Sequence, residues 1–330
     1  EQAVAVTAVA QEHVLRFRVL GAAGDEISLR IGTTSTGAEL ADDVACRTGW
    51  HTYAFTPGAS PFYVQFRNAT GKILQVDDVS LIDDGPVVLG TPYGTADLPP
   101  LKFAQSADTM WICSRDHPVY KLTRSGHETW SMTEAAFGDG PWLAVNATAT
   151  TLAPSATAGT GITLTASAAA GINDGEGFSA ADTGRMVRLK HGSDWGYAVV
   201  TAVASPTSAT ADVKSDFGAT TAVTDWRLGA WSGRTGYPGA VAFFEQRLCF
   251  AGSRHQPQTF WLSQSADFEN MRPDDGAGTV EDDDALDYTI SADQVNAIRW
   301  MAPGQKLFMG TVGGEWLVQS DGPLLTPTDI

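Results

Sequence analysis

The stretch Tyr237-Pro238-Gly239-Ala240-Val241-Ala242-Phe243-Phe244-Glu245-Gln246-Arg247-Leu248-Cys249-Phe250-Ala251-Gly252, continuing through Ser253–Pro257 to Gln258-Thr259-Phe260-Trp261-Leu262, decides the fold. Two apolar runs, Val241–Phe244 and Leu248–Ala251, flank the polar Glu245-Gln246-Arg247. A third run, Thr259–Leu262, follows a turn that carries Gly252 and Pro257. Short runs rich in Val and Phe between turn formers predict strand, turn, strand. No helix of ordinary length fits between those breakers.

The same layout recurs. Met110–Arg115, Pro118 and Val119–Leu122 form one copy; Leu307–Thr311, Gly313-Gly314 and Glu315–Val318 form another. A lone hairpin is marginal in water, so repeated hairpins predict stacked sheets, as in propeller blades. A sandwich built of similar hairpins is the alternative.

Working outward, 330 residues predict two or three domains, and 43% hydrophobic residues are enough for a sizeable core. Frequent Gly and Pro with abundant Ala, Thr and Val indicate an all-β chain rich in turns. No run of 18 apolar residues occurs, so no membrane partner is expected. A start at Glu1 and an end just after a hairpin suggest a piece of a longer protein. Cys46, Cys113 and Cys249 are far apart and odd in number. They predict buried small hydrophobes rather than disulfides or a zinc site. The formal net charge of −17 argues against a conventional nucleic-acid binder, which needs cations to neutralise phosphates. It does not exclude passing DNA, since a repulsive wall suits a duplex that must slide.

Residues 1–84 alternate apolar and polar in Val14–Leu20, Ile27–Ile31, Trp50–Thr56, Phe62–Phe66 and Ile73–Leu81. This predicts a β-sandwich. Gly49-Trp50 before a strand, and the closing Val76-Asp77-Asp78-Val79-Ser80-Leu81, resemble jelly-roll modules of the carbohydrate-binding type. Trp50, Tyr53 and Tyr63 are therefore candidate glycan contacts, with a core or rim role as the alternative. Asp77 and Asp78 are either a calcium-holding pair or an edge-strand charge pair. Asp83-Asp84-Gly85-Pro86 reads as a linker, and residues 85–139 as the first propeller-like strands. Gly126-His127-Glu128-Thr129-Trp130 fails the sialidase Asp-box pattern, because Ser125 and His127 stand where aspartate and glycine are required. Residues 140–232 predict an inserted small β-barrel or sandwich, with Asp182–Arg185 a structural turn and His191 and Asp194 straddling another. Residues 233–330 resume the propeller-like strands. The expected fold is thus an incomplete propeller-like core with an N-terminal jelly roll and an inserted β domain.

The words Tyr237-Pro238, Phe244–Leu248, Phe250-Ala251-Gly252, Pro257-Gln258-Thr259, Trp261, Ser265–Phe268, Asp282–Ala285, Asp293–Trp300 and Gly313–Trp316 resemble the nozzle proteins of short-tailed bacteriophages, the tail tubular protein B family. Gln105–Asp108, His117-Pro118, Lys121–Thr123 and Trp226–Trp231 extend the resemblance over residues 97–318. It implies a virion protein of the phage tail, in a ring of about six copies. Such a ring lies below portal and adaptor proteins, touches fibres or spikes, and conducts double-stranded DNA during ejection. Glu281, Asp282, Asp283 and Asp284 are then candidates to line that path or bind cations near it. A solvated outer loop or an intersubunit polar contact is the alternative.

Two other classes compete. A carbohydrate-binding adhesin or lectin would use the jelly roll. A glycan-cleaving propeller would need two carboxylates about 5–9.5 Å apart. No nucleophile elbow, HExxH or phosphate loop occurs, and the histidines do not cluster. No catalytic residue, metal ligand or cofactor is assigned, and an enzyme is not expected.

Overall fold

The computed structural model describes residues 1–82, 87–291, 295–320, 322 and 324–329. The linker at 83–86 and the motif residues Asp293 and Gln294 lie outside the described residues. The chain is all-β, with 47% of it in strands and 3% in helical turns. Among the described residues no helix is long and apolar enough to cross a membrane. Two compact units form: residues 1–99, 105–112 and 119–136, and residues 100–104, 113–118 and 137–330.

The first unit opens with β1 (Gln2–Val4), β2 (His13–Leu20), β3 (Glu26–Gly32), β4 (Ala41–Arg47), β5 (Gly49–Phe55), β6 (Phe62–Arg67) and β7 (Gln75–Ile82). One sheet runs β1-β6-β3-β4, and β7-β2-β5 begins the other. The period-two alternation places Leu15, Phe17 and Val19 of β2 against Leu29 and Ile31 of β3 and Phe62 and Val64 of β6, all buried. Burying each such side chain contributes about 1.5–3 kcal/mol. The expected jelly-roll-like sandwich is present.

Next come β8 (Lys102–Ser106), β9 (Thr109–Ser114), β10 (His117–Arg124) and β11 (Trp130–Glu134). The expected boundary near residue 84 is not a sheet boundary. β11 pairs with β5 through Ser131↔His51, Met132↔Trp50 and Thr133↔Gly49, so these strands extend the sandwich's sheet to β7-β2-β5-β11-β10-β9-β8. Two residues of β5, Gly49 and Thr52, give the reason. Gly49 has φ +142°, and a Cβ there would lie 2.2 Å from the Met132 carbonyl oxygen. Thr52 Oγ1 also donates to Glu128 O at 2.8 Å and accepts from Trp130 N at 2.9 Å.

The second unit contains β12 (Leu152–Pro154), β13 (Ile162–Ala166), β14 (Met186–His191), β15 (Asp194–Ser205), β16 (Ser208–Ser215) and β17 (Trp226–Leu228). They form one curled sheet, β12-β13-β16-β15-β14-β17, closed over Leu164, Val187, Leu189, Val200 and Trp226. Three register shifts between β15 and β16 supply local bends, since each bulge adds twist. The stretch read as a small inserted β-barrel or sandwich thus contributes one curled six-stranded sheet.

Two antiparallel meanders complete the unit: β18 (Ala240–Phe244), β19 (Arg247–Ala251), β20 (Thr259–Leu262) and β21 (Leu286–Thr289), then β22 (Ile298–Pro303), β23 (Leu307–Thr311) and β24 (Glu315–Val318). Their shared core includes Phe244, Cys249, Phe260, Leu262, Ile298, Leu307 and Met309. Blade-like meanders packed on one core give the propeller-like character. The opening stretch folds as its pattern predicts, with Phe244↔Arg247 closing a two-residue turn. Glu245 and Gln246 both take positive φ there, at +46° and +60°. That handedness matches the twist of a tight hairpin. Phe250 lies among Phe137 and Trp231 at ring distances of 5.4 and 5.1 Å. The three cysteines are buried and unbonded.

Candidate functional site

The acidic run Glu281–Asp284 sits in the connection between β20 and β21, and Arg247 organises it. β19 begins at Arg247, and the strand is buried along its whole length, Arg247 included at 3% exposed. Its Nη1 donates to Ser263 O at 2.7 Å, Asp284 O at 2.6 Å and Asp283 O at 3.2 Å. Its Nη2 donates to Asp282 O at 2.7 Å. The contacts are all to main-chain oxygens. The loop is therefore gripped by its backbone, while Asp283 and Asp284 act on the guanidinium by charge through space. Burial lowers the Arg247 pKa from its ordinary value, yet a guanidinium stays charged in proteins.

The four acidic residues do not act alike. Glu281, Asp282 and Asp283 are exposed, whereas Asp284 is 2% exposed. Asp284 Oδ2 accepts from the Glu281 backbone N–H at 2.8 Å, and Oδ1 accepts from Gln264 Nε2 at 2.8 Å. Both oxygens are used inside the loop, so Asp284 is a turn-closing residue and no longer a candidate for a channel or cation surface. Beside it lies an open cleft of about 500 Å³, lined in part by Glu245, Arg247, Asp282, Asp283, Leu325 and Asp329. Glu245 Oε2 accepts from Leu325 N at 2.7 Å and ties the chain end across this cleft. Among the described residues no group of three or more His, Cys, Asp or Glu is arranged to hold a metal ion.

The structure does not bring the three candidate aromatics together. Trp50 lies on the side of β5 opposite Tyr53, because strand side chains alternate. The Arg18 guanidinium lies 4.3 Å from the Trp50 ring centroid, and the chain at Gly90 is so close that a Cβ there would stand 2.2 Å from Trp50 Cδ1. Trp50 is thus half-buried beneath these contacts. Tyr53 packs against the sandwich core and donates to Leu40 O at 3.3 Å. Tyr63 is on β6 in the other sheet, between the inward Phe62 and Val64. No common platform for a sugar ring results. Asp77 and Asp78 mark the bulge between β2 and β7, where Asp78 has φ +51° and its N–H donates to Asp77 Oδ1 at 2.8 Å.

Several buried charges escape a reading by motif. Arg188 forms a bidentate pair with Asp274 at 3.0 and 2.7 Å, and Asp139 Oδ1 is 3.3 Å from its Nε. Burial raises the Asp139 pKa, and the neighbouring Arg188 opposes it. The Asp182–Arg185 turn is structural, as expected, through a buried 2.8 Å ion pair. His191 is likewise structural, its Nε2 2.9 Å from Thr221 O. The available signal was an arginine inside an apolar strand pattern, as in Met186-Val187-Arg188-Leu189, which predicts a buried partner without naming it. No protein-family model matches the chain, and no curated protein matches it.

Proposed function

We propose that this chain is a structural protein of a short-tailed phage tail nozzle. It would assemble as a ring of about six copies beneath portal and adaptor proteins. The ring would support fibres or spikes and conduct double-stranded DNA during ejection. Glu281, Asp282 and Asp283 would face the passing duplex or the ions around it.

One observation carries the reading: three exposed carboxylates stand on a loop fixed by Arg247 through backbone oxygens alone. An acidic edge repels phosphates and keeps a duplex from adhering. Duplex DNA carries one charge per about 1.7 Å of axis, so a basic wall would bind it and slow its passage. The overall charge of −17 is in keeping with this.

The test replaces Glu281, Asp282 and Asp283 together with Gln, Asn and Asn in the virion. Slower DNA ejection, or a changed dependence on magnesium and salt, supports the reading. Identical kinetics across salt would remove these residues from the DNA path.

A further inference from the structure

The N-terminal sandwich is open along one edge. β1 and β7 are the end strands of its two sheets. Between them lies a slot of about 460 Å³, lined by Gln2 and Val4 of β1 and by Val76, Val79, Ser80 and Leu81 of β7. Its floor is the sandwich core itself: Leu15, Phe62 and Val64, which are 3%, 0% and 5% exposed.

The strand register explains the opening. Val76 pairs with Val19, and Leu81 pairs with Leu15, so both β7 residues share the core face. Between those pairs the register slips. Asp77 faces Arg18 and Ser80 faces Arg16, which leaves Asp78 and Val79 together opposite Phe17. Such an added residue goes unpaired and bends its strand. Asp78 takes φ +51°, and Val79 is left 51% exposed at the lip of the slot. On the other side β1 is only 3 residues long and pairs with Phe62–Val64, although β6 runs on to Arg67. Phe66 lies beyond that pairing, half-buried, and its side also lines the slot. Close-packed interiors leave few voids larger than a water molecule. An apolar cavity of about 150 Å³ already stays dry and takes up benzene. This slot is larger, and it reaches the core of the sandwich.

The charges at the mouth narrow the ligand. Among the described residues lining the slot none is basic, and the charged one is Glu1. Its carboxylate is fixed there, accepting from Ser35 Oγ at 2.7 Å and from the Thr36 N–H at 3.2 Å. Asp78 stands exposed in the bulge beside Val79. Arg16, opposite Ser80, is turned to the outer face of β2, between the inward Leu15 and Phe17. An anionic head at the mouth would meet like charge without a cation to offset it. We infer that this slot binds a small aliphatic ligand with an uncharged head. Its chain lies on Leu15, Phe62 and Val64, and its head sits beside Gln2 and Ser80. A lining that is apolar except for a few polar groups at one end is the usual make-up of such a site.

The experiment uses the full chain, with 1-octanol as the probe and sodium octanoate, ionised at neutral pH, as the matched anion. Side-chain methyl resonances are followed through each titration at equal ionic strength. Octanol is expected to shift the signals of Leu15, Val64, Val76 and Leu81 saturably, while those of Leu164 and Val200 in the curled sheet stay still. Octanoate should bind at least about tenfold more weakly, and Glu1→Gln should narrow that gap. Val79→Trp, at the exposed lip, should fill the mouth and abolish the octanol shifts, while the unliganded melting temperature stays near that of the parent. Sedimentation tests for a protein occupant, since two free sheet edges also suit an added strand. Self-association that octanol dissolves would seat a second copy in the slot and overturn the small-ligand assignment. So would the absence of saturable shifts, shifts spread equally over the curled sheet, shifts that survive Val79→Trp in full, or equal binding of octanol and octanoate.

Discussion

Arg115 reaches from the turn between β9 and β10 to Ile298 at the start of β22, its Nη2 donating to the Ile298 carbonyl oxygen at 2.6 Å. Its Nε donates to Gly252 O at 2.9 Å, and its own carbonyl accepts from Tyr237 N. One side chain therefore links the turn after β19 to the first strand of the next meander. Gly239 and Gly252 leave the room, since a Cβ on either would lie 2.5 and 3.1 Å from Arg115 nitrogens.

Removing that link should loosen the two meanders together. Arg115→Met keeps much of the apolar stem and deletes both donors. The expected loss is about 2–4 kcal/mol, from two charge-assisted hydrogen bonds at about 1.5–3 kcal/mol each with partial rehydration of the carbonyls. Equilibrium urea unfolding measures it. A loss below about 0.5 kcal/mol, the ordinary scatter of surface changes, would show that Arg115 is a bystander.

Arg247 makes a sharper prediction, because Lys should not replace it. A point charge cannot span Ser263 O, Asp282 O and Asp284 O at once. Both Arg247→Lys and Arg247→Leu should release the acidic loop. Amide hydrogen exchange at Asp284 and Ala285 should speed at least about tenfold, while the amides of β13 and β16 stay protected.

The acidic run should split in two under mutation. Asp284→Asn leaves only one oxygen to accept where two now do, from Glu281 N and Gln264 Nε2. It should cost about 1–3 kcal/mol. Asp283→Asn, an exposed change, should stay within about 0.5 kcal/mol. Paired thermal melts compare them; equal effects would contradict the separation.

Glu134 supplies a pH test. It ends β11 opposite Tyr120, and burial pushes its carboxyl up to about 7 from the ordinary 4.5. The folded chain therefore holds that proton over a range in which the unfolded chain has lost it. The group's contribution is full below about pH 4.5 and is lost as pH rises through about 7. Glu134→Gln should flatten the fall in stability between those limits. An unchanged pH profile would show that Glu134 ionises normally.

What the chain's letters disclosed follows from how local each signal is. Period two in Val14–Leu20 and the strand-turn-strand rhythm of Val241–Leu262 report burial directly, and both sheets formed as read. Hairpin similarity was less informative about neighbours. The hairpin of Trp111 looks like those of Phe250 and Trp316, yet β11 completes the sandwich's sheet, because Gly49 and Thr52 receive it. That choice depends on residues some eighty positions away. The acidic run was visible as charge, but its division was not, since Arg247 binds it through carbonyls that every residue type possesses. Trp50, Tyr53 and Tyr63 were legible as aromatics; their faces depended on sheet assignment, which distributes them over three surfaces.

The claim of assembly is tested most directly by negative-stain imaging of the purified full-length protein. The account predicts closed rings with a central hole wide enough for duplex DNA. Solitary particles at every concentration, in the presence or absence of neighbouring tail proteins, would contradict it.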